Sequence, residues 1–181
     1  MIRLALLIGY NLLRWTARRL VSRGRLRADA LERISPHAAV KRYGDASIEL
    51  GRNLDIAPGC ELLASGTGCL KVGDGTYMNR YCMISCQKAV SIGRGCMFGP
   101  GVKIFDNNHR FSRDGGVSTQ LSAAAIEIGD RCWLASDVVV LKGTTIGEGS
   151  VIGAGCVVSG IIPPHSLVRA VAPAYTIENI R

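Results

Sequence analysis

The chain has 181 residues, a composition rich in glycine and poor in aromatic residues, and a formal net charge of +8. This length suits one domain with a sizeable core. Residues 1–42 hold ten Lys or Arg against two acidic residues, whereas residues 43–181 hold twelve of each sign, so the whole excess charge lies at the N-terminus. That distribution excludes a surface that is basic throughout, as in proteins that coat nucleic acid, and no nucleic-acid partner is expected.

Residues 2–22 are predicted to form an amphipathic helix, because apolar residues recur along one stripe at helical spacing: Ile2, Leu6, Leu13, Ala17 and Leu20. Arg14, Arg18 and Arg25 lie together on an adjacent face. The uncharged run between Arg3 and Arg14 is too short to span a bilayer. Arginine-rich sequence follows it, where a signal peptide would have a small-residue cleavage site.

Two interpretations of this helix remain open. In the first, residues 1–24 lie in the interface of an anionic membrane, with Tyr10 and Trp15 at headgroup depth. In the second, the helix packs on the rest of its own chain or on a neighbouring subunit. The concentration of charge favours membrane contact, which predicts a cytoplasmic protein peripheral to the inner membrane face. Residues 1–44 are thus predicted to be a basic helix followed by a linker.

Residues 45–165 are predicted to form a solenoid, because a six-residue repeat runs through them, most regularly from Ile128 to Pro163. Each unit opens with an aliphatic residue, and its fifth place holds a small or apolar one. Side chains alternate along a strand, so these two positions share one face. Glycines at fixed intervals mark corners. Such a period is typical of a parallel β-helix, whose coils stack to bury their inner faces. In a β-sandwich the strands are not spaced by a constant six residues.

Two segments depart from the repeat. Residues 105–125 are polar and lack the six-residue repeat, and they are predicted to be an excursion loop that projects from the coil. A loop carried by a rigid scaffold is a common location for a functional site. Residues 166–181 are predicted to be a C-terminal tail that leaves the coil and packs back on it.

Seven cysteines are present, without a Cys-x-x-Cys pair. Five occupy the fifth place of a unit and are interpreted as buried core residues, with free thiols in a reducing cytosol: Cys60, Cys82, Cys96, Cys132 and Cys156. The three histidines are too dispersed in sequence for a zinc site, and no metal is expected.

His109 is the candidate catalytic residue, because it lies in the excursion and a neutral imidazole suits a general base. A lone histidine in a loop is nevertheless more often simply exposed, and His37 and His165 are interpreted in that way. Trp133 takes an outward position in its unit, as a surface residue or as a stacking platform. No nucleophile elbow and no phosphate-binding loop is recognisable.

The segment from Val72 to Ala174 resembles the hexapeptide-repeat O-acetyltransferases of the galactoside, maltose and capsule-polysaccharide type. The resemblance rests on Ile128-Gly-Asp-Arg-Cys-Trp-Leu-Ala-Ser, on Ile146-Gly-Glu-Gly-Ser-Val-Ile-Gly-Ala-Gly, and on Ile162-Pro-Pro before a Pro-Ala pair. It implies an all-β fold, a left-handed parallel β-helix, here with an N-terminal basic amphipathic helix. It also implies a homotrimer that binds acetyl-CoA as co-substrate in the groove between adjacent coils.

The resemblance assigns roles to individual residues. His109 matches the general base, which takes the proton from a sugar hydroxyl while that oxygen attacks the thioester, without a covalent enzyme intermediate. Asn79 matches an asparagine that holds the acceptor or the acetyl group. Ser136 matches a position whose backbone N–H binds the developing oxyanion. The residues matching positions that line the CoA arm are Trp133, Ala154 and Ser159.

Two positions depart from the family pattern. Lys142 stands at a corner where relatives often have Pro, and it is expected to meet either the CoA phosphates or solvent. Tyr175 follows Ala174 where a basic residue is usual, and Arg169 could substitute for that phosphate contact.

The function predicted from the sequence is acetyl-CoA-dependent O-acetylation of a sugar or of a cell-surface polysaccharide precursor. The basic helix makes a lipid-linked saccharide an attractive acceptor. One alternative is a non-catalytic β-helix scaffold anchored by its helix. Another is an acetyltransferase that acts on a small antibiotic or an amino acid.

Overall fold

A computed structural model describes residues 2–28 and 32–170 of the chain. In these residues one helix, α1 (Ile2–Val21), precedes a solenoid of short strands that form three parallel sheets. A two-stranded antiparallel sheet projects from the solenoid. The predicted fold class, a parallel β-helix behind an N-terminal helix, is confirmed.

Each coil contributes one strand to each sheet in turn, and the strands are numbered in chain order. The first sheet contains β1 (Leu26–Arg27), β4 (Ser47–Leu50), β7 (Cys69–Val72), β10 (Ala89–Ile92), β15 (Ile126–Ile128), β18 (Thr145–Ile146) and β21 (Ile161–Ile162). The second contains β2 (Arg33–Ile34), β5 (Asp55–Ile56), β8 (Tyr77–Met78), β11 (Met97–Phe98), β16 (Trp133–Leu134), β19 (Val151–Ile152) and β22 (Leu167–Val168). The third contains β3 (Ala39–Arg42), β6 (Glu61–Ala64), β9 (Met83–Cys86), β12 (Lys103–Phe105), β17 (Val139–Val140) and β20 (Val157–Val158). The projecting strands are β13 (Asn107–Ser112) and β14 (Gly116–Ala123).

The six-residue repeat produces the core as predicted. Residues that open the units stack on one another in register: Ile92 of β10 lies between Val72 of β7 and Ile128 of β15. These residues are buried, as are the fifth-place residues Cys132 and Val138. Backbone N–H groups at the corners bond to the next coil, so no coil closes its core alone.

The cysteines occupy the interior, which confirms that they serve as small core residues. Six of the seven are buried and all seven are free thiols. Burial, together with the nearby Asp106 carboxylate, raises the pKa of the Cys86 thiol to about 12. This thiol is therefore protonated at neutral pH.

The coil begins earlier than predicted, because the segment predicted as a linker contains the strands Leu26–Arg27, Arg33–Ile34 and Ala39–Arg42. β1, β2 and β3 pair in parallel with β4, β5 and β6, so the boundary placed at residue 45 is wrong. The repeat is hidden in this coil because Ala28 opens a unit and a charged residue, Glu32, fills its buried fifth place. No glycine marks a corner between residues 25 and 43.

The coil also ends later than predicted. β22 pairs with β19 and belongs to the second sheet, although the tail was predicted to begin at residue 166. The remainder of that tail, from residue 171, lies outside the described residues, and so do Ala174 and Tyr175.

Helix α1 closes the open end of the first coil. The side-chain amide of Asn11 donates to the carbonyl oxygens of Glu32, at 2.9 Å, and Ile34, at 3.0 Å. Arg14 donates to Ala38 O at 2.8 Å, and Arg18 donates to Val40 O at 2.6 Å. Among the described residues no earlier coil pairs with this edge, and α1 supplies donors to its carbonyls instead.

These contacts confirm the interpretation that α1 packs on its own chain. Trp15 is buried, and the Arg14 guanidinium lies 4.8 Å from the centre of its ring. The placement of Trp15 at headgroup depth is therefore wrong, because the residue belongs to the coil-facing side of the helix. No helix in the described part of the chain is long and apolar enough to cross a bilayer.

Candidate functional site

The interruption of the repeat is a hairpin rather than an irregular loop. β13 and β14 pair antiparallel, with Asn108 opposite Ser122 and His109 opposite Leu121. The hairpin leaves the coil after β12 and returns at β15, at the corner between the third and first sheets. Its pairing satisfies backbone groups that an exposed loop would leave to water.

Asp106 ties the base of the hairpin to the coil. Its carboxylate is fully buried and accepts hydrogen bonds from the backbone N–H groups of Gln87, Lys88 and Ala89 at 2.7–2.9 Å. It also accepts from the Asn107 side-chain amide at 2.9 Å. Sequence reasoning identifies Asp106 only as a neighbour of His109, because its hydrogen-bond partners lie about twenty residues earlier in the chain.

The His109 ring is exposed and held in one tautomer. Its Nδ1 lies 3.0 Å from the carbonyl oxygen of Ser118 on the opposite strand. A carbonyl can only accept, so Nδ1 carries the proton in the neutral ring and Nε2 keeps its lone pair. This is the state that a general base requires.

Lys142 supports the same hairpin from the coil below. Its Nζ donates to Ser122 Oγ at 2.8 Å, and Ser122 lies opposite Asn108, the residue before His109. The amine therefore has a protein partner, which neither of the roles expected for Lys142 included. Ser159 lies at the same corner, one coil further along.

A second group of predicted site residues lies at another corner, between the second and third sheets. Asn79, Ser136 and Ala154 follow strands β8, β16 and β19. The Asn79 side-chain oxygen accepts from the backbone N–H of Arg80 at 2.8 Å. The Ser136 N–H has no acceptor among the residues that the structure describes, so it can donate to a ligand.

Trp133 extends this second group onto the outer face of the second sheet. Half of its side chain is exposed, as expected for an outward position. In register beside it lie Met97 on β11 and Val151 on β19. Together they form an apolar surface next to the corner of Ser136.

The single chain does not bring the two groups together. Ser136 and Lys142 stand at the two ends of β17, so the groups occupy opposite edges of the third sheet. The six residues from Ser136 to Lys142 would span at most about 20 Å if fully extended, which sets the upper limit on the separation of these two residues. The only side-chain hydrogen bond of His109 among the described residues is to Ser118, within its own hairpin.

Tyr81 is a residue of this region that sequence reasoning missed. It has a left-handed φ of 62°, at a corner where three other coils have Gly59, Gly101 and Gly155 and another has Asp137 with a φ of 58°. A bulky residue in this region of φ stores about 1–3 kcal/mol of strain. The ring is largely exposed, and it lies so close over Gly59 that a Cβ there would be 2.5 Å from it. The sequence signal is a bulky tyrosine at a place where several other units have glycine, two residues after Asn79.

Within the described residues, no group of three His, Cys, Asp or Glu is placed to hold a metal ion.

Comparison with known proteins identifies the repeat. Residues 125–160 match the family described as bacterial transferase hexapeptide (six repeats). The chain is 36% identical over 144 residues to a putative lipopolysaccharide biosynthesis O-acetyl transferase, WbbJ, of Escherichia coli K12, covering 75% of this chain and 73% of that one. It is 32% identical over 111 residues to the galactoside O-acetyltransferase of the same organism, covering 61% of this chain and 54% of that one.

A solved structure shares the fold. The N-acyltransferase AntD of Bacillus cereus, solved as a mutant with dTDP-4-amino-4,6-dideoxyglucose and coenzyme A, superposes with a TM-score of 0.62 at 15% identity, covering 74% of this chain and 73% of that one. The family follows from two findings: the repeat matches the hexapeptide transferase family, and the chain is 36% identical to an O-acetyltransferase. The chain belongs to the hexapeptide-repeat O-acetyltransferases, and it is an acyltransferase.

Proposed function

We propose that the protein transfers an acetyl group from acetyl-CoA to a hydroxyl of a saccharide, in the biosynthesis of a cell-surface polysaccharide. The observation that carries the proposal is the His109 imidazole, which the hairpin exposes with Nδ1 protonated and Nε2 available as a base. The relatives support it, because they are named O-acetyltransferases of lipopolysaccharide biosynthesis and of galactosides. AntD supports it further, because that protein binds both coenzyme A and a sugar nucleotide.

The proposed reaction is a direct transfer. Nε2 of His109 takes the proton of the acceptor hydroxyl while the oxygen attacks the thioester carbonyl carbon. The negative charge that develops on the carbonyl oxygen is bound by the Ser136 N–H; one such donor typically contributes about 2.7–4 kcal/mol. The C–S bond then breaks, and the CoA sulfur receives the proton from the imidazolium. Atoms and charge balance without a covalent enzyme intermediate.

The proposed active site is shared between two chains of a homotrimer. His109 and Ser136 lie at opposite edges of the third sheet within one chain, so the hairpin of one protomer would face Asn79 and Ser136 of the next. In this arrangement Trp133 and Ala154 line the CoA arm from one protomer and Ser159 lines it from the other. The exposed apolar surface around Trp133 is suited to such a cleft.

We assign two further roles from the contacts. Lys142 holds β14 through Ser122 and so positions the strand that carries the partner of His109. Tyr81, held exposed beside Asn79 at a cost in backbone strain, offers an aromatic face for the apolar side of a sugar ring.

The test is release of CoA from acetyl-CoA in the presence of a panel of nucleotide-linked and lipid-linked saccharides, small antibiotics and amino acids. We expect turnover with a saccharide, and His109→Ala should lower kcat at least about 100-fold while titration calorimetry shows CoA bound as before. Unchanged turnover in the variant would remove His109 from the mechanism. Turnover confined to antibiotics or amino acids would replace the saccharide as acceptor.

A further inference from the structure

Helix α1 has a second face that no described residue of the chain covers. The coil-facing side chains Asn11, Arg14, Trp15 and Arg18 hold it to the first coil. Three leucines spaced seven residues apart, Leu6, Leu13 and Leu20, form a line along the opposite side, and each is more than two-thirds exposed. A row of large apolar side chains held in water on a rigid element indicates a surface that binds something.

The charge of the same segment indicates what it binds. Helix α1 contains four arginines and no acidic residue, and residues 1–42 carry the entire net charge of +8. Arg23, in the turn that ends the helix, is exposed and forms no ion pair within the described residues. An apolar stripe on a segment of net positive charge, with Arg23 exposed at its end, is complementary to anionic lipid: the leucines match the acyl boundary, and the positive charge matches the headgroups.

We propose that the outward stripe of α1 docks this protein on the surface of an anionic membrane, with the helix axis parallel to the membrane plane. The hydrogen bonds to the first coil already order the helix, so docking requires no folding step. In this respect α1 differs from an interfacial peptide that folds only on binding.

The geometry of the coil sets where the active site lies above the membrane. Helix α1 contacts carbonyls of the first coil, whose strand in the third sheet is β3. The hairpin follows β12, which lies three coils further along the same sheet, beyond β6 and β9. Coils are spaced as neighbouring strands are, at about 4.8 Å, so the base of the hairpin lies about 15 Å beyond the docked end. An acceptor attached to a lipid headgroup could reach that height.

The test compares two substitutions of equal exposure and equal charge. Leu13 on the stripe and Val117 on the hairpin are each 75% exposed, so Leu13→Glu and Val117→Glu change the same property at different places. Binding of the full chain to vesicles of phosphatidylcholine alone, or mixed with phosphatidylglycerol, is measured by co-sedimentation at low and high salt. Sedimentation velocity of each protein without vesicles reports its oligomeric state.

We expect the native protein to bind the phosphatidylglycerol vesicles and to release them as salt is raised. Leu13→Glu should weaken this binding at least about tenfold, and Val117→Glu should leave it unchanged. The proposal is overturned if the native protein ignores these vesicles at low salt, or if both variants lose binding equally. It is also overturned if Leu13→Glu instead dissociates an assembly of the native protein, because the stripe would then bind a second copy. None of these outcomes depends on whether the protein transfers acetyl groups.

Discussion

Replacement of Asp106 by Asn tests how the coil holds the hairpin that carries His109. The buried carboxylate accepts from three consecutive backbone N–H groups and from the Asn107 amide. An amide of the same size can offer only one accepting oxygen, and its NH₂ group must face at least one of these donors. The change therefore removes hydrogen bonds without creating a cavity.

The magnitude follows from the donors that lose their acceptor. The Lys88 and Ala89 N–H groups share one carboxylate oxygen, and the Gln87 N–H and the Asn107 amide share the other. The amide can keep its oxygen towards Lys88 and Ala89, and the Gln87 N–H then loses its acceptor at about 1–3 kcal/mol. In that orientation the Asn107 amide keeps its bonds to Ser85 O and Oγ at 3.2 Å. The opposite orientation leaves both the Lys88 and the Ala89 N–H groups without an acceptor and is costlier. We expect Asp106→Asn to lower the free energy of unfolding by about 1–3 kcal/mol. This is a large fraction of the 5–15 kcal/mol that stabilises an ordinary domain.

The assay is urea unfolding followed by fluorescence, together with kcat measured in the absence of denaturant. The matched control is Asp114→Asn, an identical change at the exposed tip of the same hairpin, which should alter stability by less than about 0.5 kcal/mol. Because the hairpin carries His109, Asp106→Asn should lower kcat as well as stability. A loss of stability no greater than that of the control would refute the role assigned to Asp106.

Two other substitutions test the corner that carries Tyr81 and the contact of helix α1 with the first coil. Tyr81→Gly removes a side chain from a left-handed φ of 62°, so the protein should be at least as stable in urea, yet the KM for a saccharide should rise about fivefold through loss of a stacking contact of about 1 kcal/mol. An unchanged KM would remove Tyr81 from the acceptor site. Asn11→Ala removes the side-chain amide that donates to the Glu32 and Ile34 carbonyls. The free energy of unfolding should fall by about 1–3 kcal/mol, and hydrogen exchange should become faster in the first coil alone. Uniform exchange throughout the coil would contradict the capping role.

The solenoid could be predicted from the sequence because its signal is local. Every unit from Ile128 to Val157 carries its own aliphatic opener and its own small fifth residue, so the period is visible without knowing which strands pair. The first coil escaped prediction because its fifth place holds Glu32, a charged residue that the repeat does not predict and that α1 helps to cover.

Interactions between distant segments could not be predicted in this way. The helical spacing of residues 2–22 indicates an amphipathic helix, but it does not show that Arg14 and Arg18 face the coil. The carbonyl groups that bind these two arginines come together only once the coil has formed. In the same way the anchoring role of Asp106 depends on a turn formed by residues 87–89. The assignment of Asn79 and His109 to one site rests on a second chain and stays a prediction.

The central claim is that one active site draws His109 from one chain and Asn79 from its neighbour. The most direct test mixes two inactive variants, His109→Ala and Asn79→Ala, unfolds them together and refolds them as mixed oligomers. The account predicts that each variant alone lacks activity and that the mixture regains a substantial part of it, since some interfaces combine an intact His109 with an intact Asn79. A refolded mixture that stays inactive, although the native chain refolded in the same way recovers its turnover, would contradict it.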